Sequence, residues 1–273
     1  MKKKEEQGNK KRKIIIVTIF LIILLMSVGV VIYYSYKEWK TERDMQNLAD
    51  WINEDVDVYS VDNNVPEETE EEKNNKALLQ KLNELKTQNS DLIGWIKIED
   101  TNIDYPVVQT NNNDFYVRHD FSKNYNELGT IFLDMECSID KPTANFLIYG
   151  HRTTTGQMFE TLTNYKDENF YKEHKTFKFA TLNEVSEYKV IAVFMSKIYY
   201  KHQNVFKFYF FKDAQNEQEF NNYINNIKKL SMYPIEDTAT YGEQLITLTT
   251  CDYYTENGRF VVVAKKVNSY INE

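Results

Sequence analysis

The stretch LITLTTCDYYTENGRF, residues 245–260, closes an apolar run with a cysteine and places an arginine eight residues later. The chain holds two cysteines, Cys137 and Cys251, and four histidines, His119, His151, His174 and His202. A cysteine at a strand end can be a buried small hydrophobe, half of a disulfide or a nucleophile. Nucleophilic work asks for more than a thiol. The thiolate must be accessible and near positive charge. The leaving group needs a proton donor, and the developing oxyanion needs a hydrogen-bond donor aimed at it.

Arg259 opens the next β-like run. If the loop between folds back as a hairpin, neighbouring strands lie about 5 Å apart, and Arg259 shares a rim with Cys251. Its guanidinium stays charged at any working pH and can bond an oxyanion directly. His151 suits the proton-transfer role best. It follows the run NFLIYG immediately, in the polar loop GHRTTTG. His119 in VRHDF, His174 in KEHK and His202 in KHQN read as surface residues. Cys137, in DMECSID, reads as a loop bystander. A Cys137–Cys251 bridge is disfavoured, because disulfide scaffolds are cysteine-dense and this chain is not. The chain order His, Cys, Arg is not papain-like, where the Cys precedes the His, and the caspase Q-A-C signature is absent. With no C-x-x-C and no H-E-x-x-H, a metal site has no sequence support, and no cofactor is implied.

Those side chains need a scaffold, and from Ile93 onward the sequence breaks into short β-like runs. They are WIKI, YPVVQ, TIFLDM, NFLIYG, TFKFATL, EYKVIAVFM, QLITLTT and RFVVVAKKV, separated by turn-rich stretches such as NNND and TENG. Eight such runs predict a mostly β domain, a barrel or a sandwich. KALLQKLNELKTQ, residues 76–88, is expected to be a helix facing the domain with Leu78, Leu82 and Leu85. Two insertions read as helical. One is GQMFETLTNYKDENFYKEH. The other, KDAQNEQEFNNYINNIKKLS, lies between the sixth and seventh strands and spaces Phe220, Tyr223, Ile224 and Ile227 on one face.

The N-terminal part is a different material. Residues 1–13 carry seven Lys/Arg against two Glu, and residues 14–34 form an uncharged apolar run long enough to span a bilayer. The run is too long for a signal-peptide core and no A-x-A site follows it, so a signal-anchor is expected. The basic residues then stay cytoplasmic and the remainder lies outside. Residues 35–75 read as a helical and then acidic stalk, and residues 76–273 as an extracellular catalytic domain. The formal net charge is −8 although the first 13 residues are basic, so the main body is acidic. That excludes nucleic acid as an expected partner.

The motifs also resemble a known family. TLTTC at 247–251 resembles the sortase signature T-L-x-T-C. GRFVVVAK at 258–265 resembles the sortase strand that opens with the active-site arginine, and NFLIYGH at 145–151 the strand that ends in the catalytic histidine. The resemblance extends through SDLIGWIKIEDTNIDYPVVQ at 90–109 and GTIFLDMEC at 129–137, and covers residues 76–268. The N-terminal helices and the helix between strands six and seven are similar to class B sortases. What this implies is an eight-stranded sortase-type β-barrel and a membrane-anchored cysteine transpeptidase of a Gram-positive surface. Cys251 would attack a C-terminal sorting motif of a secreted protein and form a thioacyl intermediate. His151 would transfer protons, Arg259 would hold the oxyanion, and an amine of a peptidoglycan precursor would accept the product. The resemblance also points to Asn113, Val117, Ser196, Tyr200 and Thr249 as substrate contacts, each of which could equally be ordinary packing. A surface cysteine hydrolase and a non-catalytic anchored scaffold remain open as alternatives, because the first half-reaction is shared and residues alone do not separate them.

Overall fold

Alternating and continuous apolar runs behave differently in a sheet. A run buried on one face alternates, and one covered on both faces is apolar throughout. The chain uses both. The computed structural model describes residues 2–54, 69–153, 155–200, 202–252 and 256–271. Its strands are β1 (Leu92–Lys97), β2 (Asp104–Val108), β3 (Phe132–Leu133), β4 (Asn145–Tyr149), β5 (Thr176–Thr181), β6 (Glu184–Lys197), β7 (Leu245–Asp252) and β8 (Gly258–Ile271). They close into one barrel in the order β1-β2-β3-β4-β7-β8-β6-β5. The expected eight strands are present, with different lengths. β6 and β8 run for 14 residues each, whereas the run TIFLDM keeps only Phe132 and Leu133 in a strand.

Two of the pairings, β2 with β3 and β4 with β7, are parallel. A parallel pair cannot be joined by a tight turn. Between β4 and β7 the chain therefore makes β5, β6 and two helical insertions. This is why side chains a hundred residues apart in sequence end on neighbouring strand ends.

The helices cover the barrel. α2 (Glu70–Gln88) begins six residues before the expected start, because Thr69 and Glu72 form a reciprocal capping box. Leu79, Leu82 and Leu85 are its buried face. Leu78, expected there, is half-buried one position off that face. Asn83 donates to the Leu182 carbonyl at 3.0 Å and Lys86 to the Leu92 carbonyl at 2.6 Å, which ties α2 to the β1 and β5 region. The insertion after β4 is less helical than its composition suggests. A 3-10 stretch, Thr161–Lys166, precedes the single-turn α3 (Glu168–Glu173). α4 (Glu217–Leu230) lies between β6 and β7, capped by Asn216, and buries the four expected residues Phe220, Tyr223, Ile224 and Ile227. Full burial of each such apolar side chain stabilises the fold by about 1.5–3 kcal/mol.

α1 (Lys2–Asn53) is one continuous helix. The chain divides into two compact units, residues 1–47 and 48–273. In the first, residues of the apolar run such as Ile14, Phe20, Leu25 and Ile32 are 59–69% exposed, and the helix is long and apolar enough to cross a membrane. In the second, Lys81 donates to the Trp51 carbonyl at 2.7 Å and to that of Glu54, and so caps the end of α1. The second compact unit runs from Leu48 to Glu273. The acidic part of the expected stalk, residues 55–68, lies outside the described residues.

Candidate active site

β7 and β8 are antiparallel, and their register sets Cys251 directly opposite Arg259. On the other side of β8, Arg259 lies directly opposite Ser196 of β6. Directly opposed residues share a face. Cys251, Arg259 and Ser196 therefore form one row across three strands. That face points outward. The Thr247 hydroxyl, four residues before Cys251, lies 3.2 Å from the Tyr223 hydroxyl of α4, outside the barrel, and strand alternation puts Thr249 and Cys251 on the same side. Ile246 and Leu248 fill the interior and are fully buried.

The parallel neighbour β4 extends the row. Tyr149 pairs with Thr249, and the ladder continues one step as the Gly150 N–H donates to the Thr249 carbonyl at 3.1 Å. By continuation of that register, two residues past its last pair, His151 falls level with Cys251. Its Nε2 lies 2.7 Å from the Val117 carbonyl oxygen. A carbonyl only accepts, so Nε2 carries the proton, and in the neutral ring Nδ1 holds the lone pair. Burial holds the His151 pKa below its ordinary value. The charges of Arg118 and Arg259 push the same way, against the Val117 carbonyl and Glu127. The imidazole is thus neutral near pH 7, a state that can take a proton.

Gly150 is needed beside it. A Cβ there would stand 2.5 Å from Ile131 Cδ1 and 2.6 Å from the Phe159 ring. Gly150→Ala is therefore expected to destabilise the fold by about 1–3 kcal/mol through overpacking, read from the urea midpoint. It should also displace His151, and with it lower turnover.

The structure brings some of the further expected residues together and separates others. Thr249 is buried on the row's face, and its hydroxyl has no hydrogen-bond partner among the described residues. An unmet buried hydroxyl beside a strand-end cysteine is open to a bound group. Ser196 lies on β6 itself. Tyr200 is 71% exposed beyond the strand end and stacks on His202. Asn113 and Val117 both make contacts within the protein. The Asn113 amide donates to Asp134 Oδ2 at 3.1 Å and accepts from the Met135 N–H at 2.8 Å, and Val117 supplies the carbonyl for His151. Two of the three histidines expected at the surface are half-buried instead: His119 stacks on Phe115 and His174 on Phe170, each at 3.9 Å. Both cysteines are free, and Cys137 lies in the loop after β3 as expected and is buried there.

Arg259 is half-buried, and its Nη1 donates to the Gly258 carbonyl at 2.8 Å. This fixes the guanidinium at the rim. Sequence reading missed Asp134 and Tyr149 beside these groups. The one signal was an aspartate closing the apolar run TIFLDM. A cleft of about 260 Å³, lined by Glu72, Lys178, Glu187 and Tyr270 among others, opens toward the opposite end of β8 and holds neither the cysteine nor the histidine.

Known proteins resemble the chain in sequence and in fold. The profile of the Sortase domain matches residues 96–267. Sortase B of Listeria monocytogenes is 31% identical over 196 residues, which is 71% of this chain and 76% of the relative. The solved Staphylococcus aureus sortase B–substrate complex superposes with a TM-score of 0.62 at 28% identity, over 69% of this chain and 85% of that one. A crystal structure of a sortase B complexed with triglycine gives 0.63 at 27% identity, over 70% and 87%.

Proposed function

Because the chain belongs to the sortase family, and is a cysteine transpeptidase of cell-wall anchoring most like sortase B, we propose that Cys251, His151 and Arg259 carry its chemistry. The observation that supports this reading is the row itself. Cys251 lies opposite Arg259 in the β7–β8 register, and His151 stands level with them beyond β4.

The Cys251 Sγ attacks the carbonyl carbon of a scissile peptide bond in a C-terminal sorting motif. His151 Nδ1 takes the thiol proton and delivers it to the leaving nitrogen, so the C–N bond breaks as the C–S bond is left behind. Arg259 donates to the oxyanion that forms between these steps. An incoming amine then attacks the thioester. His151 takes its proton, and Sγ leaves. The acceptor is an amine of a peptidoglycan precursor, for which the triglycine bound to a related sortase B is a fitting mimic. Thr249, Ser196 and Tyr200 flank the path of the substrate, and Asn113 and Val117 shape its His151 side.

Residues 14–34 anchor the protein in the cell membrane, with the basic residues 1–13 in the cytoplasm and the barrel outside. The clients are then secreted proteins with C-terminal sorting signals. The test is to incubate the full chain with a library of C-terminal sorting peptides, with and without triglycine. An amide product that grows with triglycine is expected. Release of acid alone, at a rate triglycine does not change, would sink the joining step.

A further inference from the structure

A carboxylate at the end of an apolar strand is costly to bury unless it is paired and hydrogen-bonded. Asp134 is such a group, at 2% exposure directly after β3. Its Oδ2 accepts the Tyr149 hydroxyl at 2.8 Å and the Asn113 amide at 3.1 Å, with the Lys212 ammonium 3.7 Å away. Its Oδ1 accepts the Glu136 N–H at 2.9 Å.

Two of those partners belong to the two segments that meet at His151. Tyr149 is on β4, two residues before the imidazole. Asn113 begins the turn that ends at Val117, whose carbonyl receives His151 Nε2–H at 2.7 Å. The turn is short and internally braced. The Asn112 side chain accepts from the N–H groups of Asp114 and Phe115, and the Val117 N–H donates to the Asp114 carbonyl. Asn113 is also clasped from the far side by the Met135 N–H at 2.8 Å. Movement of Asn113 is therefore transmitted to Val117.

We infer that Asp134 is a positioning residue for His151, one oxygen of its buried carboxylate joining the strand that delivers the imidazole to the turn that receives its Nε2–H. The inference rests on the reading of His151 as the acid–base group. Asp134 does not touch substrate. By holding the Val117 carbonyl against Nε2–H it leaves Nδ1 for the reaction.

The arrangement also indicates how the site fails without it. Tyr116, next to Val117, is held separately. Its carbonyl accepts the Thr130 N–H at 3.0 Å, and its hydroxyl donates to Asp91 at 2.9 Å. Lys212 keeps Glu136 at 2.7 Å. Loss of the Asp134 charge therefore leaves a folded turn and a paired lysine, with a loosened His151–Val117 bond.

The test needs no substrate, so it is independent of whether the chain joins peptides. The full chain is labelled with ¹⁵N in detergent micelles, and the imidazole N–H region is recorded. A solvent-protected Nε2–H that vanishes in His151→Gln is expected. In Asp134→Asn its exchange with water should quicken by about tenfold or more, the effect of losing a charge-assisted bond. Asn113→Ala and Tyr149→Phe each remove one arm and keep the carboxylate, and should quicken it in the same direction. Cooperative melting shows which variants are folded. Native exchange in folded Asn113→Ala and Tyr149→Phe would overturn the inference, whether or not Asp134→Asn folds. So would a native chain with no protected Nε2–H.

Discussion

Replacement of Cys251 by alanine is expected to lower formation of the triglycine-linked product by at least about 10⁴-fold, the scale on which loss of a nucleophile acts in a triad-like unit. In the proposed site Sγ is the nucleophile, and the Ser196 hydroxyl of the same row is a far weaker one near neutral pH, so it does not substitute. The fold should be indifferent. Cys251 is half-buried at a strand end, and its pairing with Arg259 is through the backbone. The second cysteine supplies the control. Cys137 is buried, donates weakly to the Asn145 carbonyl at 3.3 Å, and has its thiol pKa pushed up to about 11 by that burial. It stays a neutral thiol at any working pH. Cys137→Ala should leave product formation at the native rate while lowering the melting temperature slightly, because a small void opens beside β4. Equal rates for native enzyme and Cys251→Ala would remove the cysteine from the mechanism. The reverse pattern, with Cys137→Ala the inactive variant, would relocate the nucleophile.

Much of this was legible in the sequence, for identifiable reasons. The Cys251–Arg259 pairing follows from local geometry: two apolar runs around a turn-rich TENG segment make a hairpin, and a hairpin sets its own register. The α4 face at Phe220, Tyr223, Ile224 and Ile227 was readable because helical spacing is local too. That β4 and β7 are parallel neighbours is a different kind of fact. Nothing within NFLIYGH or TLTTC encodes it, and the family resemblance rather than any spacing supplied the meeting of His151 with Cys251. The α2 face shows the limit of periodicity. Leu78 and Leu79 are adjacent, either completes an apolar stripe with Leu82 and Leu85, and only the capping box at Thr69 and the docking of the helix decide for Leu79. Backbone carbonyls are silent in sequence. Val117 was expected as a substrate contact, and what the structure adds is its carbonyl oxygen on His151 Nε2. Asp134 was hidden for a related reason. A polar residue after an apolar run reads as the start of a loop, and its burial depends on Tyr149, Asn113 and Lys212, which arrive from three other segments.

Removal of the arginine should have the second largest effect and also a sign. Arg259→Ala is expected to lower kcat by about 10²–10³-fold, the usual consequence of losing an oxyanion donor. Arg259→Lys should recover part of that, since it keeps the charge but not the planar fork of donors. The two variants part company in their pH dependence. His151 must be neutral to take the thiol proton, so activity falls on the acid side as His151 becomes protonated. Burial is the main reason its pKa is low, and the positive charges of Arg118 and Arg259 add to it. Taking away the Arg259 charge relieves one of those effects, so the His151 pKa rises while burial and Arg118 still keep it below its ordinary value. The acid limb of kcat/KM in Arg259→Ala should therefore move to higher pH, and in Arg259→Lys it should stay near the native position. The apparent values belong to the coupled thiol–imidazole pair, but the direction of the shift belongs to the removed charge. An Arg259→Ala enzyme as fast as the native one, or one whose acid limb moves to lower pH, would place the guanidinium outside the reacting row.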